Sequence, residues 1–144
     1  MRILVVKELA ARASAALNQR LLLPLAALGH RVVPVDVIAF SALLGHEGAQ
    51  QLVLQHARAY HADVVLCCPP YDMLALETCH ALTAMGVPVI GWRCDDPTQL
   101  ATLTHRPTAR QRYLRNDGDK FTLNATTSRS VYEAMGDLGI SSAA

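Results

Sequence analysis

The chain has 144 residues, 51% of them apolar and 17% charged, which suits one domain with a substantial buried core. Lysine and arginine together number 13 against 12 for aspartate and glutamate, so the net charge favours neither nucleic acid nor an anionic membrane as a partner. Aromatic residues make up only 5%, which argues against a surface for stacking bases. We therefore expect one domain over residues 1–144, without a nucleic-acid partner.

The amino terminus carries no export or membrane signal. Residues 3–6 are apolar, but this run is too short for a signal peptide core, and no apolar run approaches the roughly 20 residues that cross a bilayer. The cysteines lack metal-ligand spacing, so we predict free buried thiols and no metal site; they are Cys67, Cys68, Cys79 and Cys94. These features predict a cytoplasmic protein with no membrane span.

Strand and helix patterns alternate along the chain. Short β-branched apolar runs predict strands, and apolar residues at helical spacing predict helices. The predicted strands cover residues 2–7, 32–37, 63–68, 87–92 and 120–124, and the helices cover 11–28, 49–61, 73–85 and 129–138. Residues 38–48 are predicted as a loop or short helical turn, and no closing element is expected at the end of the chain.

This alternation predicts an α/β fold of Rossmann-like or flavodoxin-like type. We expect a doubly wound, mostly parallel five-stranded sheet with helices on both faces and the strand order 3-2-1-4-5 or a near variant. Asp36, near the end of the second strand, occupies the place of a ribose-binding acid in dinucleotide-binding domains. The first turn contains no glycine, however, so the dinucleotide fingerprint is absent. Cys67 and Cys68 stand where a phosphate-accepting receiver domain needs a carboxylate, which excludes that class.

The densest group of function-like residues closes the fourth strand. Trp92 ends the predicted strand, and Arg93, Asp95 and Asp96 lie within the next four residues. Open α/β sheets bind ligands just beyond the carboxyl ends of their strands. The two carboxylates suit acid–base chemistry, orientation of a sugar hydroxyl, or simple helix capping, but they supply too few ligands for a magnesium site alone. Trp92 and Arg93 suit either a stacked or anionic ligand, or a core position and an internal ion pair.

A second polar group precedes the last predicted helix. Thr126, Thr127 and Ser128 offer hydroxyls and free N–H groups where phosphate or carboxylate groups often bind. The same residues suit ordinary N-capping, so both interpretations remain open. The arginines between residues 106 and 115 either clamp phosphates or form a solvated helix face.

Four stretches in this order resemble one known family. They are residues 2–6, residues 25–32, residues 86–92 with the Asp95-Asp96-Pro97 triplet, and residues 121–127 with residues 138–140. Together they resemble the N-terminal half of the spore-maturation-protein-B-like, GT-B-type glycosyltransferases. The acidic pair and proline after a strand, followed later by a strand and Thr-Thr-Ser-Arg-Ser-Val, form the most specific part.

The resemblance implies two Rossmann-like domains that face each other across a cleft. On this resemblance the chain would correspond to the acceptor-side domain, without the half that holds the nucleotide-sugar, and would be either a fragment or a divergent stand-alone domain. The implied partners are a small-molecule or glycan acceptor and a second Rossmann-like domain, with no tightly bound cofactor.

The resemblance also implies roles for the candidate residues. Asp95 or Asp96 would act as the general base that accepts the proton of an acceptor hydroxyl. The implied substrate-binding residues are Trp92, Arg93, Thr126, Thr127 and Ser128. The alternative function is a non-catalytic α/β domain that binds a small anion through the same edge, or another protein through an exposed apolar edge.

Overall fold

The computed structural model describes residues 1–7, 18–68, 73–93, 119–126 and 129–143. The elements in these ranges are β1 (Arg2–Lys7), a π-helical turn (Asn18–Leu22), α1 (Leu23–Ala27), β2 (Arg31–Asp36), α2 (Val37–Ala59), β3 (Val64–Cys67), α3 (Leu76–Ala84), β4 (Val89–Arg93), β5 (Leu123–Thr126), α4 (Arg129–Gly136) and β6 (Ser142–Ala143). Within this described part of the chain, every helix is too short or too polar to cross a membrane.

The strands form one six-stranded, entirely parallel sheet in the order β2-β1-β3-β4-β5-β6. The predicted α/β class is therefore confirmed, with one strand more than expected. The observed order of the first five strands, 2-1-3-4-5, is a flavodoxin-like variant of the expected 3-2-1-4-5, in which β3 pairs with β1 and β2 lies at the edge. Pro34 lies inside β2 and has no N–H to donate to a neighbouring strand. Proline is therefore found in edge strands, which agrees with the position of β2. The short β6 pairs with β5, so the expectation that no element closes the chain is wrong.

The two faces of the sheet carry separate apolar clusters, because successive residues of a strand point to opposite faces. Leu4 and Val6 of β1 belong to the larger cluster, which also contains the buried side chains of α2 and α3. Ile3 and Val5 belong to the smaller cluster, which contains Leu21 of the π-helical turn. Helices therefore cover both faces, as the sequence predicts.

The region predicted as a loop over residues 38–48 is instead the first part of α2. Asp36 caps this helix, since its Oδ1 accepts a hydrogen bond of 2.9 Å from the Ala39 N–H. Gly45 then interrupts the helix with a φ of 74° and a ψ of 169°, a conformation that side chains other than hydrogen disfavour. The long connection thus consists of two helical segments that meet at a kink.

The other predicted helices are placed correctly but differ at their ends. Pro24 lies in the first turn of α1, where a missing N–H costs nothing, and Gly29 ends that helix with a φ of 83°. Residues 11–17 of the predicted helix lie outside the described residues. The helix predicted from residue 73 begins at Leu76. The fifth strand begins at Leu123, so it lies two to three residues later than predicted.

Candidate functional site

One row of side chains crosses the sheet near the carboxyl ends of its strands. The β1–β2 ladder pairs Lys7 with Asp36. When the β1–β3 ladder is extended by one residue, it aligns Lys7 with Cys68. The β3–β4 ladder, extended in the same way, aligns Cys68 with Trp92. Partners in a parallel ladder share one face of the sheet, and Cys68 and Trp92 both contribute to the smaller apolar cluster. Asp36, Lys7, Cys68 and Trp92 therefore form what we call the edge row.

The edge row crosses the topological switch point of the sheet. The chain leaves β1 for β2 on one side, whereas β3 pairs with β1 on the other side. At such a point successive connections diverge to opposite faces, which leaves a crevice at the carboxyl ends of the strands. Lys7 ends β1 at this crevice, so it occupies the position where open α/β sheets bind ligands.

Lys7 is the most unusual residue of the row. It has 0% exposure and is the one charged side chain among the described residues that is buried. Its Nζ donates a hydrogen bond of 2.7 Å to Oδ1 of Asn18, the first residue of the π-helical turn. Burial lowers the pKa of the Lys7 ammonium, while the nearby Cys68 and Asp36 act in the opposite direction by favouring its charged form. The structure therefore holds a cation away from water at the switch point.

The cysteines near this edge are free and buried. Cys67 and Cys68 point to opposite faces, since Cys67 belongs to the larger apolar cluster and Cys68 to the smaller one. Cys79, in α3, is also a free thiol, and burial raises its pKa to about 11. A thiol with this pKa stays protonated near neutral pH and is a poor nucleophile. The prediction of free buried thiols is confirmed for these three, and Cys94 lies outside the described residues.

The structure describes part of the predicted site. Trp92 is half-buried and packs against the smaller apolar cluster. Arg93 pairs with Thr126 in the β4–β5 ladder, so the two sequence stretches that predicted the site end side by side at the carboxyl edge. Thr126 is the last residue of β5, not the first residue of a helix, and it is 4% exposed.

The remaining predicted residues are not part of what the structure describes. Asp95 and Asp96 follow β4, and Thr127 and Ser128 follow β5, but all four lie outside the described residues. The same holds for the arginines between residues 106 and 115. Their roles stay predictions.

The close contact between β4 and β5 depends on a glycine. A Cβ added at Gly91 would collide with the ring of Phe121 and approach Oδ1 of Asn124. Asn124 is fully buried, and its Nδ2 donates a hydrogen bond of 3.1 Å to the Ser141 carbonyl, next to β6. The β4–β5–β6 end of the sheet is therefore fixed by packing and hydrogen bonds that hold Arg93 and Thr126 at the edge.

Two open clefts lie at the opposite, amino-terminal end of the sheet. One, of about 480 Å³, is lined by Arg2, Arg58, His61 and Asp63. The other, of about 470 Å³, lies between the end of α3 and residues 119–122. The helices of a parallel α/β fold end near this edge, so the basic residues here lie close to helix carboxyl termini. Basic side chains stabilise these termini through the helix dipole, so no ligand is needed to explain them.

The sequence analysis missed Lys7 as a functional candidate. It was noted only as the residue that ends an apolar strand. A lysine that continues a strand buried on both faces is unusual, and this could have identified Lys7 as a residue of interest. Among the described residues, no three histidine, cysteine, aspartate or glutamate side chains come together as a possible metal site. No protein-family model matches the chain, and no curated protein matches it significantly.

Proposed function

We propose that the carboxyl-terminal edge of the sheet binds a small acceptor molecule and that the domain is the acceptor-side half of a GT-B-type glycosyltransferase. The observation that carries the proposal is the pairing of Arg93 with Thr126. It brings two stretches, more than 30 residues apart in the sequence, to one edge of a parallel sheet. That edge is the usual ligand position in this class of fold.

The transferase part of the proposal rests on the resemblance in sequence. Asp95 and Asp96 directly follow the strand that contains Arg93. In the proposed reaction, one of these carboxylates accepts the proton of the acceptor hydroxyl while the hydroxyl oxygen attacks the sugar carbon of the donor, and the bond from that carbon to the nucleotide's phosphate oxygen breaks to release the nucleotide. Arg93 and the Thr126-Thr127-Ser128 stretch orient the acceptor, and Trp92 supplies an apolar surface. The nucleotide-sugar is held by a second Rossmann-like domain.

The proposal is tested by thermal-shift measurements on the 144-residue chain with a panel of uncharged mono- and disaccharides, nucleotides and nucleotide-sugars. A ligand that binds only the native state raises the melting temperature by mass action. We expect a saccharide acceptor to raise it, and the Asp95→Asn or Asp96→Asn variant to reduce that shift. Asp137→Asn is the matched control, because Asp137 is exposed and lies between the end of α4 and the start of β6.

Each other outcome contradicts a defined part of the proposal. Stabilisation by a nucleotide-sugar alone would assign donor binding to this domain. Equal shifts in the wild type and in both aspartate variants would remove the acidic pair from the site. No shift with any saccharide would contradict acceptor binding and favour a protein-interaction domain.

A further inference from the structure

The first part of α2 has one buried side and one exposed apolar side. This part, from Val37 to Leu44, ends at the kink at Gly45, and we call it the outer segment. Its inner side is anchored, because Val37 belongs to the larger apolar cluster and Phe40 packs against that cluster. Residues three and four apart share one side of a helix. The residues on the opposite side are all exposed and all apolar: Ile38, Ala39, Ala42 and Leu43.

The exposed side of the outer segment lacks the charges of an ordinary solvated helix face. Leu43 is 78% exposed and Ile38 is 38% exposed, and no charged residue occurs between Val37 and Gly45. Single exposed apolar residues are common on soluble proteins, but contiguous apolar patches are often contact sites. We therefore expect the outer segment to pack against an apolar, uncharged surface.

The order of the side chains on this face suits a second copy of the chain. Read from either end, the face runs large, small, small, large, in the order Ile38, Ala39, Ala42, Leu43. A two-fold axis through the centre of the face maps this pattern onto itself. It places Ile38 of one copy against Leu43 of the other and the alanines opposite each other. Small side chains at the centre let the two helices approach closely.

The electrostatics of the outer segment also favour a copy of itself. The two-fold arrangement makes the paired segments antiparallel, so the positive amino-terminal end of each helix lies beside the negative carboxyl-terminal end of the other. Like charges do not meet at the centre, because the face contains no charged side chain. A helical segment of this length is only about 12 Å long. The contact is therefore smaller than the roughly 1,600 Å² of a standard interface, which predicts a weak dimer.

The neighbouring strand edge is unsuited to pairing between copies. β2 precedes the outer segment and lies at the edge of the sheet. The Arg31 N–H donates a hydrogen bond of 2.9 Å to the Met1 carbonyl, so every second residue from Arg31 onwards directs its N–H towards β1. Pro34 occupies one of the outward positions between them and offers no N–H to a further strand. Two copies therefore meet through helices and not through β2.

We infer that the outer segment is a self-association site, through which two copies of the chain form a weak two-fold dimer. Ile38 and Leu43 of each copy pack against Leu43 and Ile38 of the other. The inference goes beyond the proposed function and does not depend on it, because the outer segment contains none of the residues proposed to bind the acceptor.

The test is sedimentation equilibrium of the 144-residue chain from micromolar to millimolar concentration. We expect the wild type to approach the mass of a dimer as the concentration rises, and its melting temperature to rise with it by mass action. Leu43→Glu is expected to weaken dimerisation by about tenfold or more, because the two-fold axis places two carboxylates against apolar side chains. Circular dichroism at micromolar concentration verifies that each variant is folded.

Leu28→Glu is the matched control. Leu28 is 73% exposed, nearly as much as Leu43, but it lies at the end of α1, before the start of β2, whereas the outer segment follows the end of β2. This variant adds the same charge to a different surface, so the dimerisation constant should stay unchanged.

A complementary pair of charges tests the arrangement of the dimer. Ile38→Lys alone is expected to weaken dimerisation, as Leu43→Glu does. In an equimolar mixture of the two variants, the two-fold arrangement brings the new ammonium of one chain beside the new carboxylate of the other. We expect the mixture to associate about tenfold more tightly than either variant alone.

Four results would overturn the inference: a wild type that stays monomeric at millimolar concentration, undiminished dimerisation of Leu43→Glu, an equal loss in Leu28→Glu, or a mixture that associates no better than its components. A monomeric wild type that Leu43→Glu destabilises would show that another part of the same chain covers the face. A monomeric wild type whose stability Leu43→Glu leaves unchanged would show that the face stays in water.

Discussion

The strand β1 carries a basic residue at each end, and the two side chains differ in their exposure to water. At the amino-terminal end, Arg2 forms an ion pair of 3.1 Å with Asp63, and the two side chains are 40% and 39% exposed. At the carboxyl-terminal end, Lys7 has no exposed surface, and an amide oxygen accepts its hydrogen bond. The same strand thus holds one hydrated and one dehydrated cation.

The difference lies in how far each cation is removed from water. The Arg2–Asp63 pair remains in water, so it is screened and needs little desolvation. Arg58, in the last turn of α2, also lies at the amino-terminal edge, where it complements the helix dipole. Lys7 is buried instead, and the nearby Cys68 and Asp36 favour its charged form. The contrast is therefore one of hydration, between a screened ion pair at one end of β1 and a desolvated ammonium at the other.

The largest expected effect comes from reversing the charge at each end of β1. Lys7→Glu would place a carboxylate without water beside Asp36 and Cys68, and we expect it to destabilise the domain by about 3–5 kcal/mol. Arg2→Glu places a carboxylate beside Asp63 in water, where screening limits repulsion. Urea unfolding of both variants measures the contrast.

Expression is part of this experiment, because Lys7→Glu can prevent folding altogether. Failure of Lys7→Glu to fold, with Arg2→Glu folded and only slightly destabilised, agrees with the comparison. Similar urea midpoints for the two variants would contradict it, since they would mean that the two ends of β1 are equally hydrated.

A smaller effect is expected from Lys7→Met, and it should depend on pH. Lys7→Met removes the buried charge, which favours folding, but leaves the Asn18 Oδ1 without this donor, so we expect a net change in the free energy of unfolding of about 1 kcal/mol or less near neutral pH. The folded-state pKa of Lys7 is lowered, so the folded chain loses its proton before the unfolded chain does. The wild type therefore gains stability as pH rises from the folded-state pKa towards the ordinary value of 10.5.

The free energy of unfolding of the wild type should accordingly rise relative to that of Lys7→Met over this alkaline range. Urea unfolding of the wild type and the variant at the same pH values measures this difference in the free energy of unfolding. Subtracting one free energy from the other cancels the effect of the other ionisable groups, which both proteins share. A constant difference across the alkaline range would mean that Lys7 has the same pKa in the folded and unfolded states.

The sequence was sufficient for the fold class because its signals are local. The β-branched runs of β1, β3 and β4 and the glycines that end the helices predict a parallel α/β domain without any knowledge of tertiary contacts. The place of the second strand at the edge was missed, although Pro34 within it was a sign of that position. The first part of α2 was missed because Asp36 was interpreted as the end of a strand and not as a helix cap.

The candidate site was predictable only where its residues adjoin one strand. Trp92 and Arg93 were found because they close an apolar run, and their pairing partners were correctly expected at the same edge. Lys7 was not found, because its importance depends on burial and on Asn18, neither of which is visible in local sequence. Which lysine becomes dehydrated is decided by packing across the sheet, and a single sequence does not encode that directly.

The smallest expected effect concerns the hydrated end of β1. Hydrogen bonds from the Arg2 backbone N–H, at 2.6 Å, and from its guanidinium lower the pKa of Asp63 below its ordinary value of 3.8. The unfolded chain then binds the proton first as pH falls, so the contribution of Asp63 to stability is present above 3.8 and is lost as pH falls through the lower folded-state value. Asp63→Asn should therefore melt below the wild type near neutral pH and approach it in acid, a difference that added salt reduces. Melting temperatures across this acidic range, with and without salt, measure it. A large, salt-independent difference would show that this end of the strand is also dehydrated, so that the two ends of β1 would no longer differ in hydration.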